Sequence, residues 1–184
     1  SYFYSRFDAS NRVEWGVSFS TRYAEYLGFN WKPMFIDIVN DLQPKNMRLM
    51  AYWKDIELSP GVFDFQTVDE MLIEAGKKDI DVILVLGKKQ PRWPECYEPD
   101  WVKAFPTKEQ QDAAQLKMIR AAVNHFKQFQ AVKIWQVENE PFFDFGPECH
   151  KLSKSLLREE IRLVKTLDSR PVLATDSGEL GRWI

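Results

Sequence analysis

The chain has 184 residues, 45% of them hydrophobic and 14% aromatic, enough to enclose one sizeable core and short for two, so a single domain over 1–184 is expected. With 25 Lys and Arg against 27 Asp and Glu the formal net charge is -2, and no basic stripe is long enough to track a phosphate backbone, which argues against a nucleic-acid partner. No apolar run approaches the ~20 residues that span a bilayer and no charged-then-apolar leader opens the chain, yet its abrupt S-Y-F-Y-S-R-F start reads as an internal stretch; a signal removed upstream would imply a secreted or membrane-anchored, extracytoplasmic protein.

Residues 13–20 predict a first strand. Asn30 then sits where it can cap a helix carrying Phe35, Ile38, Val39 and Leu42. A second strand over 46–53 contains R-L-M-A-Y-W, and the helix after it places Val68, Met71, Leu72 and Ala75 at three- and four-residue spacing. The third strand, 80–87, reads D-V-I-L-V-L-G without polar alternation, the pattern of a strand covered on both faces in a parallel sheet. Thr107 with Gln110 predicts a capping box for the third helix. The fourth strand covers 132–138. A fourth helix, beginning near Leu152, gathers Leu156, Leu157, Ile161, Val164 and Leu167 on one face and turns Arg158, Glu159, Arg162 and Lys165 outward. A fifth strand covers 171–176.

Strands and helices thus alternate, which predicts an α/β class with a parallel sheet. Each strand's C-terminal end runs into a loop rich in aromatic, proline and charged residues, where a (β/α) barrel keeps its active site. No glycine-rich phosphate loop follows any strand, so a nucleotide-binding sheet loses its main support and no cofactor is expected. His125 and His150 lie too far apart for a local zinc motif, His125 reads as an ordinary helical histidine, and no metal is expected. Cys96 and Cys149 fall in the loops after strands three and four, where a bridge can form in an oxidising compartment.

The richest stretch is W-Q-V-E-N-E-P at 135–141. Pro141 cannot join the sheet ladder, so the fourth strand is expected to stop with the Glu140 side chain fixed at its tip. Period-two alternation puts Gln136, Glu138 and Glu140 on one side, with Glu138 one layer deeper and Arg48 as the expected partner for its charge.

This region resembles the clan A glycoside hydrolases, whose fourth strand ends in Asn-Glu-Pro. The tripeptide gains weight beside R-L-M-A-Y-W at the end of strand two, E-L-S-P-G-V-F-D-F just after it, and P-R-W-P after strand three. The resemblance covers nearly the whole chain and is closest to cellulase-like glycosyl hydrolases. It implies the first five strands of a TIM-type barrel, with Glu140 as general acid/base, Asn139 contacting the sugar hydroxyl next to the anomeric carbon, and Arg48 orienting the nucleophile. That nucleophile would be a Glu at the end of strand seven, beyond the five strands counted here.

Other residues are expected to meet substrate. Trp93 offers a flat apolar face for sugar C–H groups or pins its proline-rich loop, and Trp53 serves the same purpose or lies in the core. Gln90 and Asp176 are polar contacts of less defined role. Asp176 and Glu179 are the nearer acids that could substitute as nucleophile, while Asp144 and Glu148 read as solvated or helix-leading. Lys88, Lys89 and Arg92 read as a solvated basic loop or a preference for an acidic sugar. The function expected is a retaining hydrolase of β-linked oligo- or polysaccharides. Its rival is a catalytically incomplete barrel that binds carbohydrate or packs against a partner. A whole barrel needs roughly 250 residues and eight strands, so the chain is expected either to be one piece of a longer product or to gain closure from another copy.

Overall fold

The computed structural model describes residues 14–146 and 152–177. Its centre is a five-stranded parallel sheet of β1 (Gly16–Phe19), β2 (Asn46–Met50), β5 (Asp81–Leu86), β6 (Val132–Val137) and β7 (Val172–Leu173), in that spatial order. Each new strand pairs with the one before it in the sheet, so the sheet grows in one direction, as a (β/α) barrel does.

All five predicted strands are present, the first, second and last clearly shortened: β2 stops at Met50, and Trp53 begins a helix instead. β7 pairs only over Trp135 with Val172 and Gln136 with Leu173, because a strand at the sheet's edge has one neighbour to define its length. Between β2 and β5 lie a short helix α3 (Trp53–Ile56) and an antiparallel hairpin, β3 (Glu57–Ser59) with β4 (Val62–Phe63). This hairpin is the E-L-S-P-G-V-F stretch. Gly61 N–H donates to Glu57 at 2.9 Å and so ties the turn to its own base.

Besides the short helices α1 (Thr21–Tyr26) and α5 (Asp100–Lys103), the predicted helices follow from their caps and stripes. Asn30 accepts from Lys32 N–H at the start of α2 (Trp31–Asp37), which runs on into a π-helical turn over Ile38–Leu42. α4 (Gln66–Lys77) buries the four predicted residues Val68, Met71, Leu72 and Ala75. Thr107 caps α6 (Lys108–Phe126), and Ser153 caps α7 (Lys154–Leu167).

Alternate residues of the central strands face two environments. Met47, Leu49, Val82, Leu84, Leu86, Trp135 and Val137 join helix residues such as Met71, Met118, Phe126 and Leu157 in one large core. The other face holds a small cluster of Met50, Tyr52, Val85 and Tyr97, to which no helix among the described residues contributes. Ile83 and Ile134 on that face are only half-buried. The third predicted strand is therefore helix-covered on one face, not two. That is the layering of a barrel wall, whose inner face is closed by other strands, and it differs from a doubly wound sheet.

Candidate active site

The parallel sheet brings the C-terminal tips of β2, β5, β6 and β7 to one end, and the chemistry of the chain collects there. At the tip of β6 the chain does not continue its alternation. Glu138 and Glu140 both adopt left-handed backbone conformations, with φ of 62° and 49°. The segment is held by its neighbours: Glu138 N–H donates to Leu86 O at 2.8 Å, Asn139 N–H to Lys89 O at 2.8 Å, and Glu140 N–H to Thr175 Oγ1 at 3.1 Å. Backbone of this kind persists only when its surroundings over-determine it, and such positions concentrate at functional sites.

The turned backbone separates the two glutamates. Glu140 is half-buried at the open end, whereas Glu138 folds back and is fully buried. Its carboxylate accepts Lys88 N–H at 2.9 Å, Lys89 N–H at 2.6 Å and the Gln115 side-chain amide at 2.7 Å. The expected pairing of Glu138 with Arg48 is thus overturned: the strand alternation that predicted it ends at Val137, and amide donors satisfy the carboxylate instead.

Arg48 lies nearer the mouth. Its Nε donates to Ser18 Oγ at 3.0 Å, across the β1–β2 register that pairs the two residues. Burial lowers its pKa, and the charge of Arg92 lowers it further, while the Glu140 carboxylate pulls the other way. Arg48 therefore feels the charges of both Arg92 and Glu140. Arg92 is exposed, with its guanidinium 5.3 Å from the centre of the Tyr23 ring.

The basic loop is not solvated as expected. Lys88 and Lys89 are both buried, and only Arg92 of the three faces solvent. The Lys89 ammonium donates to Phe143 O in the loop after β6. Desolvation lowers its pKa, opposed by the carboxylates of Glu95, Glu138, Glu140 and Asp144 around it. Burial also raises Glu95; Lys89 counters this and the Glu140 charge adds to it. Lys89 and Glu95 thus each feel the charge of Glu140 and of one another. Their signal in the sequence was weak, because a lysine in K-K-Q-P-R looks like surface until the loop is seen to fold back through the Lys89 to Cys96 bridge.

Asn139 is buried, its Oδ1 accepting from Thr175 Oγ1 at 3.3 Å and from Gln136 at 3.4 Å. Gln90 is also buried: its amide donates to Ala51 O at 2.7 Å and Gly87 O at 2.9 Å, tying the ends of β2 and β5 together. That amide braces the sheet end and is closed to a ligand, which corrects its reading as a substrate contact. Trp53 is corrected too. Its ring has 0% exposure, packs edge-on to Trp101, and donates its indole N–H to Glu57 at 2.7 Å, so it belongs to the core.

Trp93 meets the opposite fate, with 62% of its surface exposed and its ring edge-on to exposed Phe145 at 6.0 Å. The two rings come from the loops after β5 and β6, on either side of the tip that carries Glu140. Asp176 is exposed and accepts from Ser177 N–H at 2.9 Å, and Asp144 is exposed in the loop after β6. His125, far from this end, is paired with Asp69 at 2.7 Å and stacked on Phe65. Cys96 is disulfide-bonded; Cys149, like Glu148, His150 and Glu179, lies outside the described residues. Among the described residues no group of acids, histidines and cysteines is arranged to hold a metal ion, and no helix is long and apolar enough to cross a membrane.

The sequence matches no family model and no curated protein. The fold does match solved structures. The GH5_18 protein of Bifidobacterium longum subsp. longum superposes with a TM-score of 0.67 at 13% identity, covering 90% of this chain and 44% of its own. An endo-β-1,4-xylanase of glycoside hydrolase family 10 from Gloeophyllum trabeum gives 0.63 at 20% identity, over 88% and 50%. Xylanase 10B from Thermotoga petrophila, solved with xylobiose, gives 0.63 at 17% identity, over 89% and 49%. The chain spans about half the length of these structures. Its fold is that of a partial (β/α) barrel of the kind found in glycoside hydrolases.

Proposed function

We propose that the chain forms part of a retaining glycoside hydrolase for β-linked saccharides, with Glu140 as the general acid/base. The observation that carries this reading is the setting of Glu140: a carboxyl held at the open end of a barrel sheet by a left-handed backbone, within the fields of Arg48 and Lys89. Glycosidic cleavage needs a proton delivered to the leaving oxygen and, with retention, a second carboxylate about 5 to 5.5 Å away that attacks the anomeric carbon. Glu140 would give its proton to the leaving oxygen, then take one from the water that releases the glycosyl group.

The second carboxylate belongs to the remainder of the barrel. Arg48 stands near enough to Glu140 to feel its charge, so a nucleophile at retaining distance would come within the same guanidinium's reach. Trp93 and Phe145 supply apolar ring surface for the sugar, and Asn139, its carbonyl already held, would turn its amide donors to a hydroxyl.

A barrel that binds saccharide without cleaving it is the second reading. The exposed Trp93 and Phe145 rings favour it, because they offer a platform whether or not a nucleophile is present. The test is a panel of β-linked aryl glycosides and glucans presented to the chain within a polypeptide that supplies the remaining strands. Turnover lost on Glu140→Gln supports hydrolysis. Saturable binding without turnover in the wild type would establish the second reading instead.

A further inference from the structure

Behind the strand tip lies a polar cluster that the proposed reaction does not use. Glu138 and Glu160 both have 0% exposure. Glu160 comes from the middle of α7, on its apolar face with Leu156, Leu157 and Val164, where a charged side chain has no ordinary place. The two carboxyls are close neighbours, near enough for each to act on the other's protonation. Gln115, reaching in from α6, donates to Oε1 of each. An amide has two N–H donors, so that group is fully used. Glu138 takes two more donors from the Lys88 and Lys89 backbone, but Glu160 Oε2 receives no N–H or O–H donor.

Two carboxylate anions in contact in a dry interior repel one another and both lose their hydration; a single proton between them removes the repulsion and leaves one negative charge, which the Lys88 and Lys89 amides meet. We infer that Glu160 is a positioning residue: it holds one proton in common with Glu138, and the clamped pair fixes, through the Lys88 and Lys89 amides, the two strand tips that carry Lys89 and Glu140. The clamp joins α6, α7, β5 and β6 at one point, two residues from Glu140.

The charged groups facing the pair come from the loop after β5, where Lys88 and Lys89 lie; α6 contributes the neutral Gln115, and α7 contributes Glu160 itself. Both lysines favour an ionised carboxylate, yet burial outweighs them: it pushes Glu138 up to about 7 and Glu160 well above the usual carboxylate range. As the pH rises through this range the shared proton leaves and the two carboxylates repel, which displaces Glu160 from Glu138 and loads the Lys88 and Lys89 amides that hold the Glu138 anion.

The positioning role rests on the proposed part of Glu140, whereas the shared proton does not, so the test reads the proton without activity. In infrared difference titration of the 184-residue chain, a protonated carboxylic acid band should persist above pH 6 in the wild type and vanish in Glu160→Gln, whose amide donates to Glu138 permanently. In parallel, the backbone amide resonances of Lys88, Lys89 and Glu140 should shift together with a midpoint near neutrality in the wild type and stay flat in Glu160→Gln. A wild-type chain with no protonated carboxyl at pH 6, or amide shifts unchanged by the substitution, would overturn the inference. If Glu160→Gln does not fold, the wild-type infrared titration decides the matter alone.

Discussion

Glu138 lies so close over Gly87 that a β-carbon built on the glycine would stand 2.2 Å from Oε1 and 2.4 Å from Cδ of the glutamate. Gly87 also has φ of 112°, which side-chain-bearing residues rarely adopt. The end of β5 is therefore shaped around the carboxylate, which cannot retreat because three amide donors hold it.

Gly87→Ala should accordingly destabilise the chain by about 3 kcal/mol or more, from overpacking and backbone strain together. Urea denaturation followed by tryptophan fluorescence measures it. A change within the scatter of ordinary surface substitutions would mean that Glu138 is free to leave its seat.

The buried carboxyl pair predicts a direction for stability against pH. A carboxyl whose folded pKa is raised binds its proton more tightly in the native state, so stability is full below the unfolded value and falls as pH rises through the folded one. For Glu138 that window runs from 4.5 up to about 7. Glu160→Gln removes one of the two coupled acids, so its melting temperature should gain on the wild type steadily between pH 5 and pH 8. A constant difference across that range would exclude the pair as its source.

The two tryptophans read as sugar platforms from the sequence should now behave oppositely. Trp53→Ala opens a cavity in the core and should cost about 3 to 5 kcal/mol of stability. Trp93→Ala should leave thermal unfolding nearly unchanged and weaken saccharide binding by about tenfold, the loss of roughly one stacking contact. Calorimetric unfolding and binding titrations on both variants separate the roles; equal destabilisation by both would contradict the exposure of Trp93.

Much of the frame was legible in the sequence because it rests on local rules. The apolar stripe of α4, the caps at Asn30 and Thr107 and the unbroken apolar run of β5 each name an element without reference to anything distant. The site was legible only at its tip: Glu140 does stand at the strand's end, although β6 stops at Val137 and not at the residue before Pro141. Alternation fails beyond Val137 because the left-handed backbone at Glu138 and Glu140 is invisible to a period-two rule, which wrongly pairs Glu138 with Arg48. Glu160 left one trace: a glutamate on the same face as Leu156, Leu157 and Val164. Lys89 and Gln90 stood out only as polar loop residues and their burial left no trace, since a loop that folds back and buries a lysine has the composition of one that does not.

Glu140 is the proposed proton donor in glycosidic cleavage. The direct measurement compares kcat/KM for wild type and Glu140→Gln, in a polypeptide that completes the barrel, across β-glycosides whose leaving groups differ in acidity. Poor leaving groups need the proton and should slow by at least ~100-fold, whereas activated aryl glycosides depart without full protonation and should slow far less. Losses that are equal across the series, or rates near wild type throughout, would contradict the assignment.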